Sequence, residues 1–401
     1  MTSLLKRWLS NGLLIILCWC CLNAPAVAQS KETNQQPSYK IALFAPLYLD
    51  SLFTDNNYRY STKFPRFVLP GIDFVQGAQI AMDSIFAFKE KIDVTIYDSK
   101  SKSKPLSSLI SSKKLDRYNL IIGSVKDDEF LQLAIFAQEQ HIPFVSATYP
   151  NDGGVTENPY LIIANSTLQS HCEAIFSMLL QNHGADNIIH VRQTGAQEDR
   201  VAGYLNALNK PDNKPLLSIK TVTLDSNFSN IKKSLDSTRK NIIVGGSLDE
   251  EFVTNIAAAI QSLKKKYNIT LIGMPNWNGF SVFSADKKEA IKDLPFLYTS
   301  PYFNNKTDVN SKKLQEAYLQ KYKGYPSDMA YKGFEMIYLF ADVLLNHSTD
   351  FTAQLNHPST TIFSTYHFLP VYRSKKTSVP DYFENKHLYF IQRLNGINTK
   401  Y

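Results

Sequence analysis

Two rhythms of apolar residues alternate along the chain. Short runs rich in Ile, Val and Leu predict buried strands, and apolar positions three and four apart predict amphipathic helices between them. Lys40 to Pro46 reads as the opening strand. A long aromatic loop, Tyr48 to Pro70, follows it. Phe74, Val75, Ala78, Ala81, Met82 and Ile85 then mark one face of a helix opened by Gly71. Strands are predicted over Asp93 to Tyr97, Asn119 to Ile122 and Pro143 to Ser146, with a helix from Asp127 to Gln140 before the last. The alternation resumes with strands Asn187 to Val191, Leu217 to Leu224, Asn241 to Val244 and Ile269 to Ile272. Helices near Asp199 to Leu208 and Asp249 to Lys266 lie between them. Strands separated by helices of this length predict parallel α/β sheets.

The late segment breaks the rhythm. Asp308 to His347 predicts a helix (Leu314, Ala317, Tyr318, Lys321), a Gly324 to Pro326 turn and a long apolar helix from Met329 to Leu345. Thr361 to Leu369 and Lys386 to Gln392 read as an antiparallel pair of extended stretches joined by a lysine-rich loop.

An internal repeat is the strongest signal. Asn119 to Phe130 lies 122 residues before Asn241 to Phe252, and Asn, Gly, three acidic residues and Phe fall in register. Each copy leads through a helix to another strand, ending in Ser146 to Pro150 or Gly273 to Trp277. Acidic first turns are common in helices, so chance resemblance is the competing reading. A period of this length implies two similar domains rather than a solenoid.

Composition narrows the class. The 401 residues suggest two domains or three, and 44% hydrophobic with 20% charged residues is a globular balance. The formal charge of +7 is scattered and has no arginine-rich run, so nothing points to nucleic acid. Lys6 and Arg7, ten apolar residues from Leu13 to Leu22, and Ala26-Val27-Ala28 form the pattern of a cleaved export signal. Cleavage after Ala28 leaves a polar linker over 29–38 and a periplasmic or secreted protein. Ten apolar residues are too few for a stable span. A lipid anchor is the rival reading, but Cys18, Cys20 and Cys21 follow Leu17, Trp19 and Cys20, not the small residue that acylation needs. Only Cys172 then remains, so no intramolecular disulfide forms, and it reads as a buried small hydrophobe.

Taken in order, Ile41 to Pro46, Gly71 to Asp83, Ile121 to Ser124, Ile142 to Ser146 and Tyr325 to Phe334 resemble the type I periplasmic binding proteins. The likeness is greatest to the branched-chain amino acid and amide receptors of ABC transporters, and it covers Lys40 to about Gln392. It implies two doubly wound, Rossmann-like α/β lobes joined by three crossovers, near Leu161 to Ser166, Leu297 to Tyr302 and Phe363 to Pro370. Lobe 1 is expected over 38–162 plus 300–355, and lobe 2 over 163–299 plus 360–401.

Ligands of open parallel sheets sit beyond the carboxyl ends of the strands. The loops there supply the candidate ligand-binding residues Tyr48, Ser124, Asp127, Ser146, Ala147, Thr148, Ser247, Asn276, Trp277 and Tyr331. By the resemblance, Ser146, Ala147 and Thr148 match the loop holding a ligand carboxylate. Asn276 stands where a carboxylate receives the ligand's ammonium, and Tyr331 matches a packing tyrosine. Turn, cap or core roles are the competing readings for each, core packing above all for Trp277 and Tyr331. The acidic starts Asp127 to Glu129 and Asp249 to Glu251 would repel an anion, and Trp277 offers a ring face. A neutral or cationic solute, an amide or ring-bearing compound, is therefore expected to bind better than leucine or valine.

Catalytic patterns are missing from the sequence. There is no G-x-S-x-G elbow, P-loop or G-x-G-x-x-G after the first strand. The eight histidines include no pair at metal-binding spacing. His171 and Cys172 are helix neighbours that point apart. The expectation is a non-enzymatic, monomeric receptor without cofactor or metal, whose partners are a small solute and, by the resemblance, an ABC permease. The alternative is an interaction protein of the same fold, similar to cell-wall synthase activators, using the aromatic loop Tyr48 to Phe67 as its surface.

Overall fold

The computed structural model describes residues 39–55, 57–61, 63–84, 91–284, 291, 293–356, 362–374 and 377–401. The expected export signal and linker lie outside the described residues. The chain opens with β1 (Tyr39–Ala45), the single turn α1 (Leu49–Leu52), the small hairpin β2 (Phe53–Thr54) and β3 (Asn57–Tyr58), and α2 (Leu69–Ser84). It continues through β4 (Ile92–Asp98), α3 (Leu106–Ser111), β5 (Leu120–Gly123), α4 (Asp127–Gln140), β6 (Phe144–Ser146) and β7 (Leu161–Ile163). A second series is α5 (Leu168–Asn182), β8 (Asn187–Arg192), α6 (Ala196–Asn209), β9 (Ile219–Thr223), α7 (Ser229–Ser234), β10 (Asn241–Gly245), α8 (Glu250–Leu263), β11 (Ile269–Ile272) and β12 (Phe296–Ser300). Two helices, α9 (Val309–Tyr322) and α10 (Asp328–Asn346), and strands β13 (Phe368–Val371), β14 (Tyr382–Asn385), β15 (Tyr389–Leu394) and β16 (Ile397–Lys400) complete it.

The strands form two seven-stranded sheets, ordered β13-β14-β7-β6-β5-β1-β4 and β16-β15-β12-β11-β10-β8-β9. From the third position on the orders are congruent, so β5 and β10, which carry the sequence repeat, occupy the same place in each sheet, whereas β14 joins β7 in parallel and β15 joins β12 antiparallel. Each leads through a helix to the next parallel strand, β6 or β11.

Alternation along β1 explains the layering of the first lobe. Ile41, Leu43 and Ala45 point into a core shared with α2, α9 and α10. Ala42 and Phe44 point the other way, into a core shared with α3 and α4. Both faces of the sheet are thus covered, as a parallel sheet requires. In that first layer α2 and α10 cross at backbone contact. A Cβ on Gly77 would lie 1.8 Å from the Ala330 carbonyl oxygen, and one on Gly333 would lie 1.9 Å from that of Phe74. The second lobe has one continuous core, centred on Ile188, Ile243, Phe252 and Trp277. Cys172 is buried in it, and burial pushes its thiol up to about 12, with Glu173 adding to the effect.

The end of the chain departs from expectation. β13 pairs antiparallel with β14, and β14 joins β7, so both belong to the first sheet. The antiparallel partner of Phe368 to Val371 is therefore Tyr382 to Asn385, with Lys386 donating to the His367 carbonyl beside it, and not the stretch running to Gln392, so residues 360–401 are not one piece of lobe 2. The third crossover lies between β14 and β15, not at Phe363 to Pro370. Leu369 and Pro370, facing Glu384 and Phe383, extend the first sheet as its edge strand, where a proline without an N–H is tolerated.

Candidate functional site

The carboxyl ends of the parallel strands carry the expected loops, and buried or half-buried carboxylates hold several of them. Asp98, at the end of β4, accepts the N–H groups of Leu47 and Tyr48 at 3.0 Å through Oδ1 and that of Leu49 at 2.7 Å through Oδ2. Tyr48 takes a left-handed φ of 54° there, and its ring meets Phe67 edge-on at 5.1 Å. Asp50 in turn accepts the N–H groups of Lys102 (2.6 Å) and Ser103 (2.9 Å), whose hydrogen bonds hold its carboxyl below the usual range. The first and second loops of lobe 1 are thereby tied together.

Ser124 and Thr148 come together at the ends of β5 and β6, with their hydroxyls 3.1 Å apart. The Ala147 N–H donates to the Gly123 carbonyl, so it is spent within the sheet. The Ser146 hydroxyl is enclosed, with no hydrogen-bond partner among the described residues. Asp127 has φ 52° and accepts the Tyr149 hydroxyl at 3.1 Å, while Glu129 pairs with Lys100 at 2.5 Å.

On lobe 2 the acidic helix start is largely committed to structure. Asp249 caps α8 by accepting the Phe252 N–H at 2.9 Å, and Glu250 accepts the Ser281 N–H at 2.7 Å. Asn276 is exposed and donates to the Leu248 carbonyl at 2.7 Å. Its Oδ1 is the atom left to accept from a ligand.

Two candidates belong to cores instead. Trp277 is 0% exposed, and its indole N–H donates to the Ser247 carbonyl at 2.9 Å. Cβ atoms on Gly245 and Gly273 would come within 2.3 and 2.2 Å of its ring, so the two glycines make the slot it fills. It offers no face to a solute. Tyr331 is 5% exposed; its hydroxyl accepts from Gln315 (2.9 Å) and donates to the Ser311 carbonyl (3.3 Å), while its ring packs on Phe363 at 5.2 Å. It packs lobe 1 rather than completing a cleft wall. Ser247 is likewise fully enclosed.

Other groups at these loop ends were not singled out in the sequence. Glu198, in the first turn of α6, is buried and accepts the Ser247 hydroxyl at 2.5 Å. Gly195 leaves room for that carboxylate, since a Cβ there would lie 2.1 Å from its oxygen. Tyr302, after the second crossover, donates to the Ala147 carbonyl at 3.3 Å, and the buried Lys332 amine lies over its ring. Burial drives that amine well below its ordinary pKa, with Glu335 pulling against it. Glu335 is also buried, and accepts the N–H groups of Phe363 (3.2 Å) and Ser364 (2.6 Å) and the Tyr366 hydroxyl (2.6 Å). The sequence signal was charge at positions 332 and 335 inside a largely apolar helix that also carries Asp328 and Asp342.

Among the described residues, no group of three His, Cys, Asp or Glu side chains is placed to hold a metal ion. No helix there is long and apolar enough to cross a membrane.

Comparison with known proteins agrees with this architecture. A family model described as periplasmic binding protein matches residues 68–355. No curated protein matches the chain. Among solved structures, a putative branched-chain amino acid ABC transporter protein from Rhodospirillum rubrum superposes with a TM-score of 0.63 at 11% identity, covering 91% of this chain and 100% of that one. A branched-chain amino acid ABC transporter periplasmic ligand-binding protein from Burkholderia xenovorans gives 0.59 at 14% identity, covering 90% and 94%. An ABC transporter substrate-binding protein from Desulfitobacterium hafniense in complex with Leu gives 0.56 at 11% identity, covering 90% and 99%.

Proposed function

From the premise that the chain belongs to the periplasmic binding protein family, we propose that it is an extracytoplasmic receptor. It captures a small solute between its lobes by hinge closure and presents it to the permease of an ABC transporter. The observation that carries this reading is the pair of congruent sheets joined by three crossovers. Such a frame lets two rigid lobes rock about a ligand.

On lobe 1 we assign solute contact to Tyr48, Ser124 and Thr148, with Ser146 and the enclosed Ala147 supporting the strand end. On lobe 2 we assign it to Asn276. The Ser124–Thr148 hydroxyl pair is the main anchor on lobe 1. Asp127 and Asp128 stay exposed at the start of α4, and the Asn276 anchor is uncharged. The solute class that fits is accordingly neutral or cationic, an amide in preference to a free α-amino acid. The absent Trp277 face removes the reason to expect stacking of a ring.

Calorimetry on protein starting at Gln29, with L-leucine, L-valine and L-leucinamide, tests both parts. Saturable binding with leucinamide preferred is expected. Micromolar leucine binding abolished by Thr148→Ala would keep the receptor and overturn the ligand class; recovery of no small solute by mass spectrometry of the purified protein, with no binding of the three, would count against the receptor itself.

A second reading rests on one observation. Leu49, Phe53, Tyr58, Tyr60, Phe64 and Phe67 are all exposed on the first loop. Such a patch suits a protein surface, as in an interaction protein of this fold. Unimpaired solute binding after Phe64→Ser and Phe67→Ser would separate that role from capture.

A further inference from the structure

We propose a second binding site, for a small oxyanion, in the cavity between the lobes beside the first crossover. The cavity is about 380 Å³ and is lined from lobe 1 by Asp152, Gly153 and Arg373, and from lobe 2 by Thr167, Arg200 and Tyr204. None of the solute-contact residues assigned above lines it.

The ion pairs around it leave one arginine without a partner. Arg373 is consumed locally, because its guanidinium holds the Asp152 carboxylate, which also accepts the Tyr382 hydroxyl and the Gly154 N–H at 3.0 Å each. Burial works to raise the Asp152 carboxyl, yet Arg373 keeps it below the usual range. Glu384, behind the helix start, accepts the Thr167 N–H at 2.6 Å and the Ser170 hydroxyl at 2.8 Å, and shares Lys386 (2.8 Å) with Glu173 (3.2 Å). Arg200 is exposed and has no ion-pair partner among the described residues. Its guanidinium is free to meet a ligand on the lobe 2 wall.

The same wall holds unused donors. Helix α5 has 15 residues and begins at this cavity, and its first-turn N–H groups have no partner within the helix. Thr167 is its N-cap residue, but its side chain makes no capping bond. That residue is 6% exposed, and its hydroxyl is enclosed without any hydrogen-bond partner among the described residues. An enclosed hydroxyl left unpaired is costly. An oxyanion accepting from Thr167 and the α5 N–H groups while facing Arg200 would satisfy both the hydroxyl and the charge. A phosphate, sulfate or carboxylate group has the needed chemistry, and once bound it would touch both lobes.

Thermal melts test this with sodium phosphate and sodium acetate, ionic strength being held constant with sodium chloride and no solute added. The wild type should show a saturable rise in Tm with at least one of the two. A response to phosphate alone marks a tetrahedral anion, and one to acetate marks a carboxylate. Arg200→Gln, at an exposed position, should weaken the response about tenfold, the loss of one strong charge-assisted contact. Thr167→Val should weaken it several-fold. Responses no larger than that to chloride, or variants that respond like the wild type, would overturn the site. Neither result depends on whether the solute cleft is active.

Discussion

If Trp277 is a structural wedge, its replacement should reach stability before it reaches affinity. Trp277→Phe leaves a smaller ring in the slot between Gly245 and Gly273, where the indole is completely enclosed. The lost apolar volume costs ~1–2 kcal/mol, by analogy with other large-to-small core changes. The Ser247 carbonyl, which now accepts the indole N–H at 2.9 Å, loses its donor. Leaving that buried acceptor unpaired adds ~1–2 kcal/mol. The sum is about 3 kcal/mol, which for a lobe of this size lowers Tm by roughly 6–12 °C. Urea unfolding should be followed by far-UV circular dichroism, since the substitution removes a fluorophore. Calorimetry on the folded variant should give the wild-type affinity within about threefold, a difference below 1 kcal/mol. Wild-type stability combined with a lost solute signal would refute the reasoning and return Trp277 to the binding wall.

Two further outcomes follow from particular contacts. Gly77→Ala drives a Cβ to 1.8 Å from a backbone oxygen of α10, so overpacking should cost ~1–3 kcal/mol or more; Gly203→Ala in α6, where a Cβ meets nothing within 4 Å, should gain ~0.5–1 kcal/mol, both read as shifts in urea midpoint. His171 and His190 are buried, and burial pushes them down to about 3 and about 4, with Arg192 also depressing His190. Their neutral forms belong to the folded state, so unfolding takes up protons and stability is lost as pH falls from about 6.5 toward 4. Each histidine contributes a slope of up to ~1.4 kcal/mol per pH unit in that window, and His190→Asn should remove about half of it in urea unfolding across pH 4–7.

Much of the frame was legible because it is written in short-range pattern. Buried parallel strands such as Ile41 to Phe44 and Ile242 to Val244 are continuous apolar runs, and the repeat at Asn119 and Asn241 marked equivalent places in two sheets. The C-terminal pairing was not legible. Strands β13 and β14 reach back to β7, more than 200 residues away, and nothing local in Phe368 to Val371 names that partner. At the site, loop position was readable but side-chain direction was not. Ser124 and Thr148 meet as neighbours, whereas Trp277, one residue from Asn276, turns inward because Gly245 and Gly273 leave a slot for it. Glu198 escaped notice because its role depends on Ser247, 49 residues on.

The central claim is capture of a solute by closure of two lobes. Small-angle X-ray scattering on the protein from Gln29 onward, with and without saturating L-leucinamide, tests it most directly. A fall in radius of gyration that follows the calorimetric binding curve, and that Thr148→Ala abolishes, is the expected result. Saturable binding with an unchanged radius of gyration would contradict it.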